Sequence, residues 1–212
     1  MSQYITKNKL NKIFSNIPEL TADRIVLRKI LPEDCADMYS YSHREEVTRY
    51  LLWYPHPDYD YTYRYIKQLQ EQYKTGEFTD WGIILKSNGR MIGTCGFTSF
   101  DVPNNRGEIG YVLNPEYWGK GIAAEAACTV MRFGFGKLNL NRIEAKYIIG
   151  NDQSRRVMEK CGMKFEGVLR QHMLIKGDYK DIGVCSILRG EFIASDPVAQ
   201  AESMRGYRRI FG

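Results

Sequence analysis

Between Tyr117 and Ala127 the chain reads YWGKGIAAEAA, with Gly119 and Gly121 bracketing Lys120 ahead of a run of small residues. A helix that starts here leaves its first backbone N–H groups without acceptors, and no Ser, Thr, Asp or Asn stands at its start to supply one. Glycines at these positions let the chain turn sharply and let a ligand approach the main chain. The helix dipole makes the free amides an anion site. A phosphate fits that chemistry; an ordinary glycine turn with hydrated amides is the alternative.

Other elements must position this turn. LTADRIVLRKI alternates as a first strand, and LPEDCADMYSYSH follows as a short helix with Pro32 at its first position. A second helix is expected from Asp60 to Tyr73, with Tyr63, Ile66 and Leu69 or Gln70 on one stripe. WGIILK, SNGR and MIGTCGF read as a hairpin in which Asn88-Gly89 supplies positive φ angles. GEIGYVLN is a further strand ending at Pro115. The helix after the glycine turn carries Ile122, Ala126, Val130 and Phe133 on one face and is expected to break around Gly134 and Gly136. RIEAKYII is a strand, NDQSRRVMEKCG a helix capped by Asn151 or Asp152 and stopped by Gly162, and the segment from Lys164 to Leu188 a closing hairpin. Residues 1–19 read as an N-terminal extension, 20–192 as the domain and 193–212 as a C-terminal tail.

The composition is that of a globular chain: 212 residues, 43% hydrophobic and 26% charged, with a formal net charge of +5. A mildly basic balance permits an anionic ligand without requiring one. The five cysteines are widely spaced with no CxxC pair, which predicts reduced, mostly buried thiols and no zinc site. With no apolar run long enough to span a bilayer, the expectation is an unexported, cytoplasmic protein.

GEIGYVLNPEYWGKGIAAEA, followed by NDQSRRVMEKCGMKFEGVLR, resembles the GNAT superfamily of acyl-CoA N-acyltransferases, and within it the ribosomal-protein N-acetyltransferase branch of RimJ/RimL type. The resemblance covers roughly Leu20 to Phe192. It implies an α/β (α+β) fold, a mixed central sheet of about seven strands flanked by about four helices. The superfamily signature opens with Gln or Arg, two residues, Gly, one residue, then Gly or Ala. Here its first position is Trp118, so the resemblance puts pyrophosphate binding on the main chain of Gly119, Lys120, Gly121, Ile122, Ala123 and Ala124. Lys120 adds charge from the rim or is solvated.

The same resemblance implies that the strand before the turn splays from its neighbour, freeing main-chain groups of Tyr111 and Leu113 for the pantetheine arm of acetyl-CoA. An N–H freed there would polarise the thioester carbonyl, and such a donor is worth ~3–4 kcal/mol in a transition state. Asn151 matches the family position that bonds the pantetheine arm, and also serves as a plain N-cap. Ser154 matches the serine that donates to the coenzyme sulfur, or is a first-turn serine. Glu108 is the candidate base, or a charge on an exposed strand face.

Acetyl transfer needs a neutral amine. A protein α-amino group with a pKa near ~8 costs about 1.4 kcal/mol to deprotonate at pH 7, and a lysine near ~10.4 about 4.6 kcal/mol. Trp53, Tyr54 and His56 lie where the family places its acceptor groove; most tyrosines of that segment are expected to pack on the second helix. His43, His56 and His172 are isolated and receive no catalytic role; Glu125, Arg155 and Arg156 read as a solvated helix face, with Arg155 or Arg156 reaching a coenzyme phosphate as the alternative.

The expected activity is acetyl transfer from acetyl-CoA to a primary amine, above all a protein N-terminus such as that of a ribosomal protein. No metal, membrane or direct nucleic-acid contact is implied, and a homodimer is left open. The alternatives are a small amine (polyamine, aminoglycoside or amino acid), a catalytically silent acetyl-CoA sensor, and an RNA-binding module resting on Arg205, Arg208 and Arg209.

Overall fold

The computed structural model describes residues 5–196 and 198–200. Arg205, Arg208 and Arg209, and with them most of the expected tail, lie outside the described residues. The chain begins with helix α1 (Lys7–Phe14), strands β1 (Leu20–Thr21) and β2 (Ile25–Arg28), then helices α2 (Cys35–Ser42), α3 (Glu45–Thr48) and α4 (Tyr59–Thr75). Strands β3 (Asp80–Leu85), β4 (Met91–Asp101) and β5 (Arg106–Leu113) precede helix α5 (Ile122–Gly136). Strand β6 (Arg142–Ile148), helix α6 (Asp152–Lys160), the hairpin β7 (Lys164–Ile175) and β8 (Asp178–Leu188), and helix α7 (Arg189–Ser195) complete it.

All eight strands form one sheet in the order β1-β2-β3-β4-β5-β6-β8-β7. β5 and β6 run parallel, joined by α5 as the crossover, and the other neighbours are antiparallel. One sheet face carries Trp81, Cys95, Phe97 and Ile109 against α1 and α5; the other carries Ile84, Met91 and Val112 against α2 and α4. Phe14, Trp81 and Phe133 meet edge to face at 5.5–6.2 Å between ring centres. Each such buried aromatic contributes roughly 2–3 kcal/mol, which seats α1 and α5 on the sheet.

The eighth strand, beyond the seven expected, is the two-residue β1, and α1, α3 and α7 add to the expected helices. α5 runs on through Gly134 to Gly136, because Gly134 packs where a Cβ would come within 2.8 Å of Phe97 and Ile143 side chains. Close helix–sheet packing outweighs the weak helix propensity of glycine there. In the β3–β4 turn Gly89 alone takes a positive φ, +71°, and Asn88 does not. The buried stripe of α4 is Thr62, Ile66, Leu69 and Tyr73, so Tyr63 stands exposed off the stripe, while Tyr61 and Tyr65 are exposed at one edge and set their rings against His56 at 4.9 and 5.5 Å. All five cysteines are free, four of them buried. Among the described residues no helix is long and apolar enough to cross a membrane.

Candidate active site

The pairing of β5 with β6 stops early. It holds from Arg106 opposite Arg142 to Ile109 opposite Ala145, yet β5 continues to Leu113 and β6 to Ile148. Beyond Ile109 the two strands diverge, and β5 keeps only its β4 partner. Main-chain groups on the open side of Gly110–Leu113 are therefore available to an extended ligand, as β-augmentation requires. Leu113 is partly used: the Trp118 indole N–H donates to its carbonyl at 2.7 Å. This gives Trp118 a structural task at the position where the signature has Gln or Arg.

α5 starts at the mouth of this gap. Gly119 and Gly121 have φ of +75° and +77°, the left-handed region, and Gly121 occupies the N-cap with no side-chain hydrogen bond. The first helical bond runs from Glu125 N to Gly121 O at 3.1 Å. The amides of Ile122, Ala123 and Ala124 are left without a partner among the described residues, all at the positive end of a four-turn helix.

The turn is pinned from outside. Arg24 donates its main-chain N–H and Nε to the two Glu125 oxygens, each at 2.7 Å, and Nη1 to the Lys120 carbonyl at 2.8 Å. Glu125 is thus a bracing residue with its side chain 16% exposed, and not part of a solvated face. Lys120 folds away from the gap, donating to Glu116 O at 2.9 Å over the Tyr117 ring. Arg155 pairs with Glu159 on the surface, as a solvated face would have it, whereas Arg156 lines the cleft.

On the α6 side of the gap, Asn151 caps the helix, its Oδ1 accepting from Ser154 N at 3.2 Å. The Tyr111 hydroxyl sits 3.0 Å from Ser154 Oγ and donates to Ser154 O at 2.9 Å. Burial pushes the Tyr111 phenol well above its usual range, so it stays protonated and able to donate. Sequence reasoning gave Tyr111 only a main-chain part; the hydroxyl pair with Ser154 is the feature it missed.

The gap opens into a cleft of about 1090 Å³, lined by every residue named above for coenzyme binding or catalysis except Lys120. Glu108 lines it too, on the sheet face shared with Gly110 and Val112, and its Oε2 takes an ion pair from Lys146 Nζ at 2.6 Å.

At the far wall stand Trp53, His56, Tyr65 and Asp80; Tyr54 is outside, two-thirds exposed, with Lys176 over its ring. His56 is buried, its Nδ1 at 3.0 Å from Ser42 Oγ and 2.8 Å from Thr62 Oγ1, and burial lowers its pKa, leaving it neutral. Asp80 went unnoticed in the sequence, although an acid heading the apolar run WGIIL is the signal that would have found it. Its carboxyl is raised to about 7 by burial.

A strand pair that parts beside an uncapped helix start, with hydroxyl donors across the gap, offers what an extended ligand with an anionic end needs. The chain belongs to the acetyltransferase (GNAT) domain family, which matches residues 24–164, and is accordingly an N-acetyltransferase of a family that uses acetyl-CoA. It is 36% identical over 173 residues to the uncharacterized N-acetyltransferase p20 of Bacillus licheniformis, covering 82% of this chain and 97% of that one. Some relatives carry an acceptor in their names. A Bacillus subtilis protein with the provisional name of ribosomal N-acetyltransferase YdaF is 27% identical, covering 80% and 94%. The spermidine N(1)-acetyltransferase of Escherichia coli K12 is 24% identical, covering 82% and 91%. A crystal structure of a GNAT-family acetyltransferase from Bacillus anthracis superposes with a TM-score of 0.73 at 27% identity, covering 82% of this chain and 99% of the other. Among the described residues no cluster of His, Cys, Asp and Glu is placed to hold a metal.

Proposed function

We propose that this cytoplasmic enzyme acetylates the N-terminal α-amino group of a protein, a ribosomal protein being the foremost candidate. Acetyl-CoA supplies the activated acetyl group. Its pyrophosphate fits the free amides of Ile122–Ala124, and its pantetheine arm the open edge of β5 up to Leu113. Ser154, bonded to Tyr111, is the donor that protonates the departing thiolate.

The observation that carries the choice of acceptor is the charge of the cleft. Its lining holds Glu46, Asp80, Glu108 and Asp152 against Arg49, Lys146, Arg156 and Lys160. Glu108 is neutralised by Lys146 and Glu46 by Arg44. Equal numbers of carboxylates and cations leave no acidic excess for a polycation and suit an acceptor with a single positive charge, and an α-amine is the one that a weak base can deprotonate. A polyamine would call for an acidic groove. The relative named for spermidine makes that the rival, and the two separate in one assay. Incubation with labelled acetyl-CoA, peptides bearing ribosomal-protein N-termini, spermidine and an aminoglycoside, read by product mass, should show acetyl only on peptide α-amines. Acetylspermidine as the main product would overturn the reading.

A further inference from the structure

Asp80, Gly96 and Gly110 stand in one row across β3, β4 and β5. Trp81 is buried on the α1–α5 face, so strand alternation places the Asp80 side chain on the opposite face, the one Glu108 and Gly110 share. The Asp80 carboxylate lies over Gly96, closely enough that a Cβ there would overlap it. Gly110 is the first β5 residue beyond the last β5–β6 pair. With strands ~4.8 Å apart, the row sets ~5–10 Å between this carboxylate and the gap; Gly96 and Gly110 add no side chain to it, and the Thr98 methyl overhangs Gly110, 2.7 Å from where a Cβ would stand.

Among the described residues the Asp80 carboxylate has no ion pair or hydrogen-bond donor, and burial alone shifts it. The titratable groups on which its charge acts are Tyr41 on α2, Tyr65 and Tyr73 on α4, and Cys95 on β4. Burial raises all four, Tyr65 to about 12, so each is neutral at pH 7. No cation therefore balances Asp80. Glu108, by contrast, already has Lys146.

We infer that Asp80 is the binding carboxylate and proton acceptor for the acceptor amine, which it receives as an ammonium on the row leading to the β5–β6 gap. The inference rests on the amine acetyltransfer proposed above, whichever amine is taken. The ammonium R–NH3+ gives one proton to Asp80, and the neutral amine forms the C–N bond to the acetyl carbon as the C–S bond breaks. The second proton leaves nitrogen and reaches the thiolate through Ser154. The Asp80 proton passes to water as the amide departs, so R–NH3+ and acetyl-CoA become the acetylamide, CoA–SH and one proton. A raised carboxyl pKa suits this role, since a base works best with a pKa near the working pH.

The test compares wild type, Asp80→Asn and Glu108→Gln with acetyl-CoA and, in parallel, a short peptide with a free α-amine and spermidine. For the amine that wild type takes, Asp80→Asn should lose at least 100-fold in kcat/KM at pH 7 and recover most of it as pH rises past the pKa of that amine, about 8 for the peptide and about 10 for an alkyl amine, where the amine is already neutral. Its acetyl-CoA affinity should stay within twofold, and Glu108→Gln should stay within tenfold of wild type. Wild-type kcat/KM should rise through an inflection near pH 7, a readout that needs no variant to fold. Asp80→Asn within threefold of wild type at pH 7, or loss confined to Glu108→Gln, would overturn the assignment while leaving the acetyltransfer standing. Turnover of neither amine by wild type would overturn both.

Discussion

Gly121 and Gly89 provide a matched pair of perturbations. Both take left-handed φ, +77° and +71°, and both have room for a Cβ: nothing lies within 4 Å at Gly89, and only an Arg24 nitrogen at 3.7 Å at Gly121. Substitution by Ala costs about 1–2 kcal/mol at either site, from backbone strain and not from crowding. In a chain of this length that should lower Tm by roughly 2–6 °C for each. The consequences for the coenzyme should differ. Gly89 lies in the β3–β4 turn and is not part of the cleft lining, whereas φ at Gly121 aims the free amides of Ile122–Ala124. If the Gly121→Ala turn relaxes, binding must restore the strained form, and acetyl-CoA affinity should fall about 5–30-fold, since 1.4 kcal/mol is a factor of ten. Gly89→Ala should bind as wild type does. Thermal shift and isothermal titration calorimetry on the three proteins read both effects. Equal acetyl-CoA affinity for the two variants would refute the placement of the pyrophosphate at α5.

Three further outcomes follow from the same geometry. Arg24→Ala removes the brace on the turn; the side chain is half exposed, so stability should change by only about 0.5–1 kcal/mol, while acetyl-CoA affinity drops a few-fold in the same titration. Tyr111→Phe and Ser154→Ala should each lower kcat about tenfold, and the double variant by little more than either; a multiplicative double variant in steady-state assays would show that the two hydroxyls act independently. Asp80 has a folded pKa near 7 against an ordinary value of 3.8, so the fold holds its proton more tightly, and the stability from this group is lost as pH rises through 7. Asp80→Asn escapes that loss and should gain roughly 2 kcal/mol over wild type between pH 5 and pH 8; a constant Tm difference by thermal shift across that range would contradict the buried carboxyl.

The uncapped helix start at Gly121 was legible because an absent cap and two glycines are local facts, and the strands and helices around it followed from period and turn chemistry. What escaped were relations between distant residues. Arg24 meets Glu125 across 101 positions, and nothing in either segment announces the pair. Glu108 could be placed on a strand, but its neutralisation by Lys146, 38 residues on, could not. The break expected around Gly134 and Gly136 comes at Gly136, since packing of Gly134 against Phe97 and Ile143 overrides intrinsic propensity just before it. Asp80 was hidden for a related reason: its distinction is the lack of a partner, and only the assembled sheet shows which charges go unbalanced.

A crystal structure of the acetyl-CoA complex tests the central claim most directly. The account predicts pyrophosphate oxygens ~3 Å from the amides of Ile122–Ala124 and the pantetheine arm along the open edge of β5, with the sulfur beside Ser154 and the acetyl group facing Asp80. Coenzyme bound elsewhere, with the α5 amides facing only water, would contradict it.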